Sequence, residues 1–264
     1  MSDLTRRQHY VPRVYLGRWA SDGTNLLVWD KQAGSAKPMS VRDSMVQSWY
    51  YEKPDEARNN ELEKAFQEFE GPFGSVLKLF ESVVGNTGPL KQDPVQAVAS
   101  MFTALPVRRA QIASFAATLY FRTPGAFETK QREVAAAGGP IPGLGAAVDN
   151  VYEFTKGGFR SSIIERLMAM RLCLIKSETG FITSDRPCFD IDRMFTRVPG
   201  LGDEIGIHDD VVCLMPLTPA WLAMFIPTLG SDNDSVHAMQ ISKQQTDAFN
   251  QLVRDKALRW VVEI

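Results

Sequence analysis

A pair of glutamates on a predicted helix has a spacing that could support chemistry. Glu63 and Glu70 are seven residues apart in a stretch whose apolar residues recur every three or four positions. Seven residues are close to two helical turns, so both carboxylates would lie on one face of a continuous helix. Paired carboxylates can ligate a divalent cation or divide the roles of acid and base. The alternative is an ordinary solvated helix face, because glutamate is a good helix former.

A histidine between arginines lies close to the start of the chain. His9 can act as acid, base or metal ligand, and the neighbouring Gln8 offers both a donor and an acceptor. Arg7 and Arg13 supply affinity for anions. The alternative is a segment that only docks on the core, which would bury its apolar and aromatic side chains: Tyr10, Val11, Tyr15 and Leu16.

Two further polar groups stand at the ends of apolar elements. Ser184 and Asp185 end a predicted strand, and Pro187 prevents further pairing of that strand. They can present chemistry at a strand end, or they can form a turn that stops the strand. Arg122 closes an apolar helix, where it can interact with the helix dipole or bind a phosphate or carboxylate by a bidentate fork.

Composition restricts the class of protein. The chain has 264 residues and a formal net charge of −2, which argues against a global electrostatic attraction to nucleic acid. It has neither 18 consecutive apolar residues nor a secretory signal, so we expect a cytoplasmic protein with no membrane partner. Three widely spaced cysteines are expected to be buried thiols. Sequence motifs of P-loops, dinucleotide-binding folds, α/β-hydrolases and zincins are absent.

The predicted elements indicate one α+β domain over residues 1–264. Short N-terminal strands on either side of Gly34 form a hairpin or two edge strands, and a helical block covers about 58–171. In that block Gly71-Pro72 should kink or divide the first helix, Pro106 should break the second, and 128–137 should also be helical. A mainly strand-forming region covers about 172–264, with an antiparallel or mixed sheet and one helix at 241–255. Strands grouped apart from helices are typical of α+β proteins.

Several stretches together resemble an uncharacterised bacterial family, "domain of unknown function 4238". The more specific ones are Gln-His-Tyr-Val-Pro at Gln8–Pro12 and Phe-Ile-Thr-Ser-Asp-x-Pro at Phe181–Pro187. Weaker ones are the short strand ending at Asp30, the glutamate pair ending in Glu70-Gly71, Arg122-Thr123-Pro124, and Pro216–Pro219. Where relatives often have Asn before the last proline of the second motif, this chain has Arg186.

The resemblance raises the expectation of an active site, because the recurring residue types are polar and come from distant segments. We expect a metal-dependent hydrolase, a nuclease or phosphodiesterase, with nucleic acid or a nucleotide as partner; a role in bacterial defence or as a toxin would suit it. Glu63, Glu70 and Asp185 would bind Mg²⁺ or Mn²⁺. His9, with Gln8 and Asp185, would be catalytic. Arg122, Ser184 and Arg7 or Arg13 would hold a phosphate.

The alternative is a non-catalytic module. In that case the arginines Arg7, Arg13 and Arg122 bind a nucleotide or acidic ligand, and Glu63 and Glu70 orient them as ion pairs. Both hypotheses place His9, Glu63 or Glu70, Arg122 and Asp185 in one pocket.

Overall fold

The structure is a computed structural model that describes residues 4–52, 57–85, 93–125, 135–136, 159–191, 198, 200–201, 212–227 and 236–264. The helices are α1 (Arg13–Leu16), α2 (Glu61–Gly85), α3 (Pro94–Ala104), α4 (Pro106–Arg122), α5 (Phe159–Met168) and α6 (Lys243–Lys256). The strands are β1 (Arg7–His9), β2 (Asn25–Asp30), β3 (Ser35–Ser40), β4 (Val46–Ser48), β5 (Arg171–Lys176), β6 (Thr183–Ser184), β7 (Phe189–Ile191), β8 (Val212–Thr218), β9 (Trp221–Ile226), β10 (Val236–Gln240) and β11 (Trp260–Glu263). The predicted α+β class is confirmed. The predicted helix over 128–137 lies outside the described residues except for 135–136.

The strands form three sheets. Strands β1 and β4 pair as a two-stranded ribbon, and β10-β5-β9-β8-β7 form a mixed sheet in which only β10 and β5 are parallel. The four-stranded sheet has the order β3-β2-β11-β6 and is antiparallel throughout. Its β2–β3 hairpin turns at Gly34, where φ is +65° and glycine avoids the strain of a side chain.

Strands β5 and β6 are close along the chain but belong to different sheets. Between them the chain bonds to other partners, because the Trp19 indole N–H donates to the Phe181 carbonyl and the Phe181 amide donates to Pro219. The segment therefore crosses from the mixed sheet to the four-stranded sheet.

The helical block packs through aromatic side chains. Helix α2 runs through Pro72 without being divided, while α3 and α4 are separated at Leu105, just before Pro106, as predicted. The rings of Phe73 and Phe115 stack with centroids 3.5 Å apart, which joins α2 to α4. Because α2 is continuous, Glu63 and Glu70 lie on one helix.

The N-terminal segment is docked on the core, as its composition predicts. Val11, Tyr15 and Leu16 are fully buried, and Tyr10 is 5% exposed. The three cysteines are buried free thiols, also as predicted.

None of the helices in the described part of the chain combines the length and apolar character that crossing a membrane requires.

Candidate functional site

Helices α2 and α4 bring two carboxylates and a guanidinium together. Glu63, Phe66 and Glu70 form a stripe along α2, because residues three, four and seven apart share one helix face. Helix α4 ends over this stripe at Arg122, whose guanidinium carbon lies 4.2 Å from the centre of the Phe66 ring. The predicted pairing of the glutamates on one face is thus combined with a cation from a second helix.

Arg122 is almost fully buried, with 1% of its surface exposed, and each guanidinium nitrogen donates a hydrogen bond. Nη1 donates to Glu70 Oε1 at 2.8 Å, Nε donates to the Tyr51 hydroxyl at 3.0 Å, and Nη2 donates to the His9 carbonyl. The Glu70 carboxylate is the ion-pair partner, and its side chain is 27% exposed. Arg122 therefore binds a carboxylate within the protein, that of Glu70, but through one N–H rather than by the predicted bidentate fork.

Glu63 differs from Glu70 because its charge is not compensated by direct bonds. Its Oε2 atom is buried and has no hydrogen-bond partner among the residues that the structure describes. Burial raises the pKa of Glu63 to about 7; Arg122 acts in the opposite direction, while Glu70 and Glu52 raise it further. An ordinary glutamate pKa is near 4.5, so Glu63 exchanges its proton close to neutral pH.

His9 lies on the other side of strand β1 from Gln8. Its Nε2 atom is 3.1 Å from the carbonyl oxygen of Arg42, which fixes Nε2–H as the donor in the neutral ring. Burial lowers the pKa of His9, and Arg13 and Arg122 lower it further, against the effect of the Arg42 carbonyl. His9 is therefore neutral near pH 7, and its Nδ1 atom carries the lone pair.

Gln8 is fully buried and forms structural bonds. Its Oε1 accepts from the Tyr51 amide at 2.7 Å, and its Nε2 donates to Glu52 at 3.2 Å. Glu52 in turn accepts from the backbone amides of Asn59 and Asn60, which lead into α2. Gln8 thereby ties β1 to the start of the helix that carries Glu63.

Asp185 is buried at the end of β6 and is held by backbone donors. Its carboxylate accepts three N–H bonds of 2.8–3.0 Å, from Leu258, Arg259 and Trp260. Burial raises the pKa of Asp185, and these three donors act in the opposite direction. The side chain therefore anchors the segment that leads into β11.

The remaining predicted ligand-binding residues have separate partners. Ser184 is fully buried, and its Oγ accepts from the Arg186 amide, which is the turn alternative predicted for this position. Arg7 pairs with Asp43 at the surface, and Arg13 is exposed at the start of α1.

The predicted three-carboxylate metal site is not formed in the described part of the chain. Both oxygens of Asp185 accept hydrogen bonds from the backbone of residues 258–260. No group of three or more His, Cys, Asp or Glu side chains that could hold a metal ion occurs within the described ranges.

Comparison with known proteins gives a family without an assigned activity. The family model described as "Protein of unknown function (DUF4238)" matches residues 7–143 and 148–263. The chain belongs to this family. No curated protein and no solved structure matches it.

In this DUF4238 protein, three stretches that carry the resemblance meet at a cleft of about 610 Å³. Tyr10 comes from the first, Pro124 follows Arg122, and Asp185 and Arg186 come from Phe181–Pro187. We call this the Asp185 cleft; its other lining residues are Gln32, Gln47, Gly125, Asp255, Lys256, Ala257, Leu258, Arg259 and Trp260. Charges of both signs line it. Arg186, which departs from the family pattern, packs closely against Gly125. A Cβ atom added at position 125 would lie 2.7 Å from the Cδ atom of Arg186.

The predicted site residues therefore divide between two neighbouring places. Glu63, Glu70, Arg122 and the backbone carbonyl of His9 belong to one cluster. The His9 ring bonds to the Arg42 carbonyl instead, and Asp185 lines the cleft beside Tyr10. Sequence reasoning missed Tyr51 and Glu52, which complete the cluster, because neither lies in a periodic element. It also missed Lys256 and Arg259 in the cleft, since only the fold brings residues 256–260 to Asp185.

Proposed function

We propose that this protein is a hydrolase in which Glu63 transfers the proton. The observation that carries the proposal is the buried Oε2 atom of Glu63, which has no hydrogen-bond partner in the described part of the chain; the pKa of this carboxyl group is about 7. A catalytic acid or base works best when its pKa is near the working pH. Buried carboxyl groups with such values are more frequent at functional sites than elsewhere.

The charges of Arg122 and Glu70 beside Glu63 are held in place and act on both protonation states of Glu63. Arg122 is held by three hydrogen bonds and balances the charge of Glu70, so a protonated Glu63 leaves the trio neutral. When Glu63 loses its proton, Arg122 stabilises the carboxylate. Neutral His9, with a basic Nδ1, can accept a proton from water as the second acid–base group.

Phosphodiesters are the first substrate class to test, in keeping with a nuclease or phosphodiesterase. The exposed Arg13, whose charge acts on His9, supports an anionic substrate. If Mg²⁺ or Mn²⁺ takes part, Glu63 and Glu70 are the predicted ligands still open to it, because Asp185 is committed to backbone donors. A bound cation would then favour the ionised form of Glu63.

The experiment compares Glu63→Gln with Glu68→Gln, an exposed glutamate on the same helix. Each protein is assayed from pH 5 to 9 on bis(p-nitrophenyl) phosphate and single-stranded DNA, with EDTA, Mg²⁺ or Mn²⁺. We expect Glu63→Gln to lose about 10²–10⁴-fold in kcat/KM, the usual contribution of a general acid or base. The ionisation near pH 7 should disappear from its profile, and Glu68→Gln should match the parent protein.

Two results would count against the proposal. Activity of Glu63→Gln equal to that of Glu68→Gln would remove Glu63 from the chemistry. Absence of turnover of both phosphodiesters under all three metal conditions would remove this substrate class.

A second candidate function is non-catalytic binding of a nucleotide or acidic ligand in the Asp185 cleft. The observation that favours it is the presence of three cationic side chains, Arg186, Lys256 and Arg259, in one cleft that also contains aromatic and amide groups. It predicts a rise in melting temperature with nucleoside phosphates but not with Mn²⁺, since ligands that bind the folded state stabilise it. Lys256→Gln should weaken that response, and Lys243→Gln, at the other end of α6, should not.

A further inference from the structure

We propose that Cys188 and Cys213 are an oxidisable pair, which forms an intramolecular disulfide when the protein meets a peroxide. Their Sγ atoms lie 3.5 Å apart, and both thiols are free. A disulfide requires about 2.05 Å between the sulfurs, so they need to approach by roughly 1.5 Å. The proposal is independent of the hydrolase.

The sheet places the two side chains on one face. Cys213 in β8 pairs directly with Asp190 in β7, and Cys188 comes two residues before Asp190. Because side chains alternate along a strand, Cys188 and Asp190 point to the same side, towards Cys213. Cys188 precedes the paired residues of β7, so it can shift towards Cys213 without breaking the strand register.

Access to the pair comes from a second cavity, of about 500 Å³, which Cys213 lines together with Tyr120, Arg166 and Asp190. Cys213 is 7% exposed, whereas Cys188 is 1% exposed. A small oxidant that enters this cavity therefore reaches Cys213 first. Cys188 lies behind it as the resolving thiol.

The chemistry balances with one molecule of hydrogen peroxide. In the first step the Cys213 sulfur attacks a peroxide oxygen, the O–O bond breaks, and a sulfenic acid and water form. In the second step the Cys188 sulfur attacks the Cys213 sulfur, and the sulfenic oxygen leaves as the second water. Two electrons pass from the two sulfurs to the peroxide.

The environment of Cys188 predicts how fast the second step, its attack on the Cys213 sulfur, proceeds. The hydrogen bond with Cys213 and burial both raise the pKa of Cys188, so its thiol stays protonated at neutral pH. The thiolate is the nucleophile in disulfide formation, so the second step should be slow near pH 7 and accelerate towards pH 9.

The test treats the full chain with hydrogen peroxide at pH 7 and pH 9 and follows intact mass, free thiols and non-reducing peptide maps. We expect a mass loss of about 2 Da, the two hydrogens given up by a disulfide. Free thiols should fall from three to one, peptides containing Cys188 and Cys213 should be joined, and dithiothreitol should reverse the change. Cys173→Ser should behave like the parent protein in forming the bond.

The matched variants also define failure. Cys188→Ser should not lose the 2 Da and should instead gain oxygen at Cys213. An unchanged mass of the parent protein at pH 9, stepwise oxygen addition without the linked peptide, or a 2 Da loss that persists in Cys188→Ser would each overturn the proposal.

Discussion

Asp185 is a buried carboxyl group and Glu63 a partly buried one, and the two differ in their hydrogen-bond donors. Asp185 receives three backbone N–H bonds, whereas the Oε2 atom of Glu63 receives none from the described residues. Burial raises the pKa of both groups, so burial alone does not separate them. The number of hydrogen-bond donors to each carboxyl group does separate them. A carboxylate with three fixed donors serves the fold, and one without donors keeps its proton available for chemistry.

The largest effect should come from removing the satisfied carboxylate. Asp185→Ala leaves three backbone donors without their acceptor, and each lost bond to a charged group has a cost. We expect the free energy of unfolding to fall by about 3–5 kcal/mol. Asp255→Ala, in the same cleft but exposed, should change it by less than about 0.5 kcal/mol. Equal denaturant midpoints for the two variants would show that Asp185 does not anchor residues 258–260.

Glu70→Gln should have an intermediate effect. Arg122 loses its ionic partner while buried but keeps a neutral acceptor, so we expect a loss of about 2–3 kcal/mol. The pKa of Glu63 should fall in this variant, because the charge of Glu70 contributes to raising it. Carboxyl chemical shifts measured over a pH titration would detect that fall. A rise, or an unchanged value, would mean that Glu70 and Glu63 do not interact.

Glu63→Gln should have the smallest effect on stability. Unlike the other two substitutions, it should raise the free energy of unfolding. Because the folded pKa is about 7 and the ordinary value is 4.5, protonated Glu63 contributes stability that is fully present below pH 4.5. That contribution is lost as the pH rises through 7. The glutamine variant removes this dependence and should be more stable than the parent by about 1–2 kcal/mol at pH 8.

Urea unfolding at pH 4.5 and pH 8 would test this, with Glu68→Gln as the control. The parent protein should lose stability relative to Glu63→Gln when the pH is raised from 4.5 to 8. If it does not, the raised pKa of Glu63 is contradicted.

The sequence predicts the elements better than the site. Helical spacing gives α2 and the shared face of Glu63 and Glu70, and the prolines give the boundary between α3 and α4. Periodicity cannot say which carboxylate finds a partner, because the partners of Glu70 and Asp185 come from α4 and from the segment before β11. For the same reason it cannot say which sheets β5 and β6 join, although the two strands are close along the chain. Local patterns carry no information on which sheet a strand joins.

The position of β11 has a consequence for the order of folding. Residues 260–263 lie between β2 and β6 in the four-stranded sheet, and β2 comes more than 200 residues earlier in the chain. That sheet cannot close until residue 263 has left the ribosome, whereas α2, α3 and α4 can pack as soon as they are made. Such long-range pairing slows folding, because the entropy of closing the loop is lost before the contacts form. During synthesis there should therefore be a stage in which the β2–β3 hairpin has formed but the edge of β2 that later pairs with β11 has no partner.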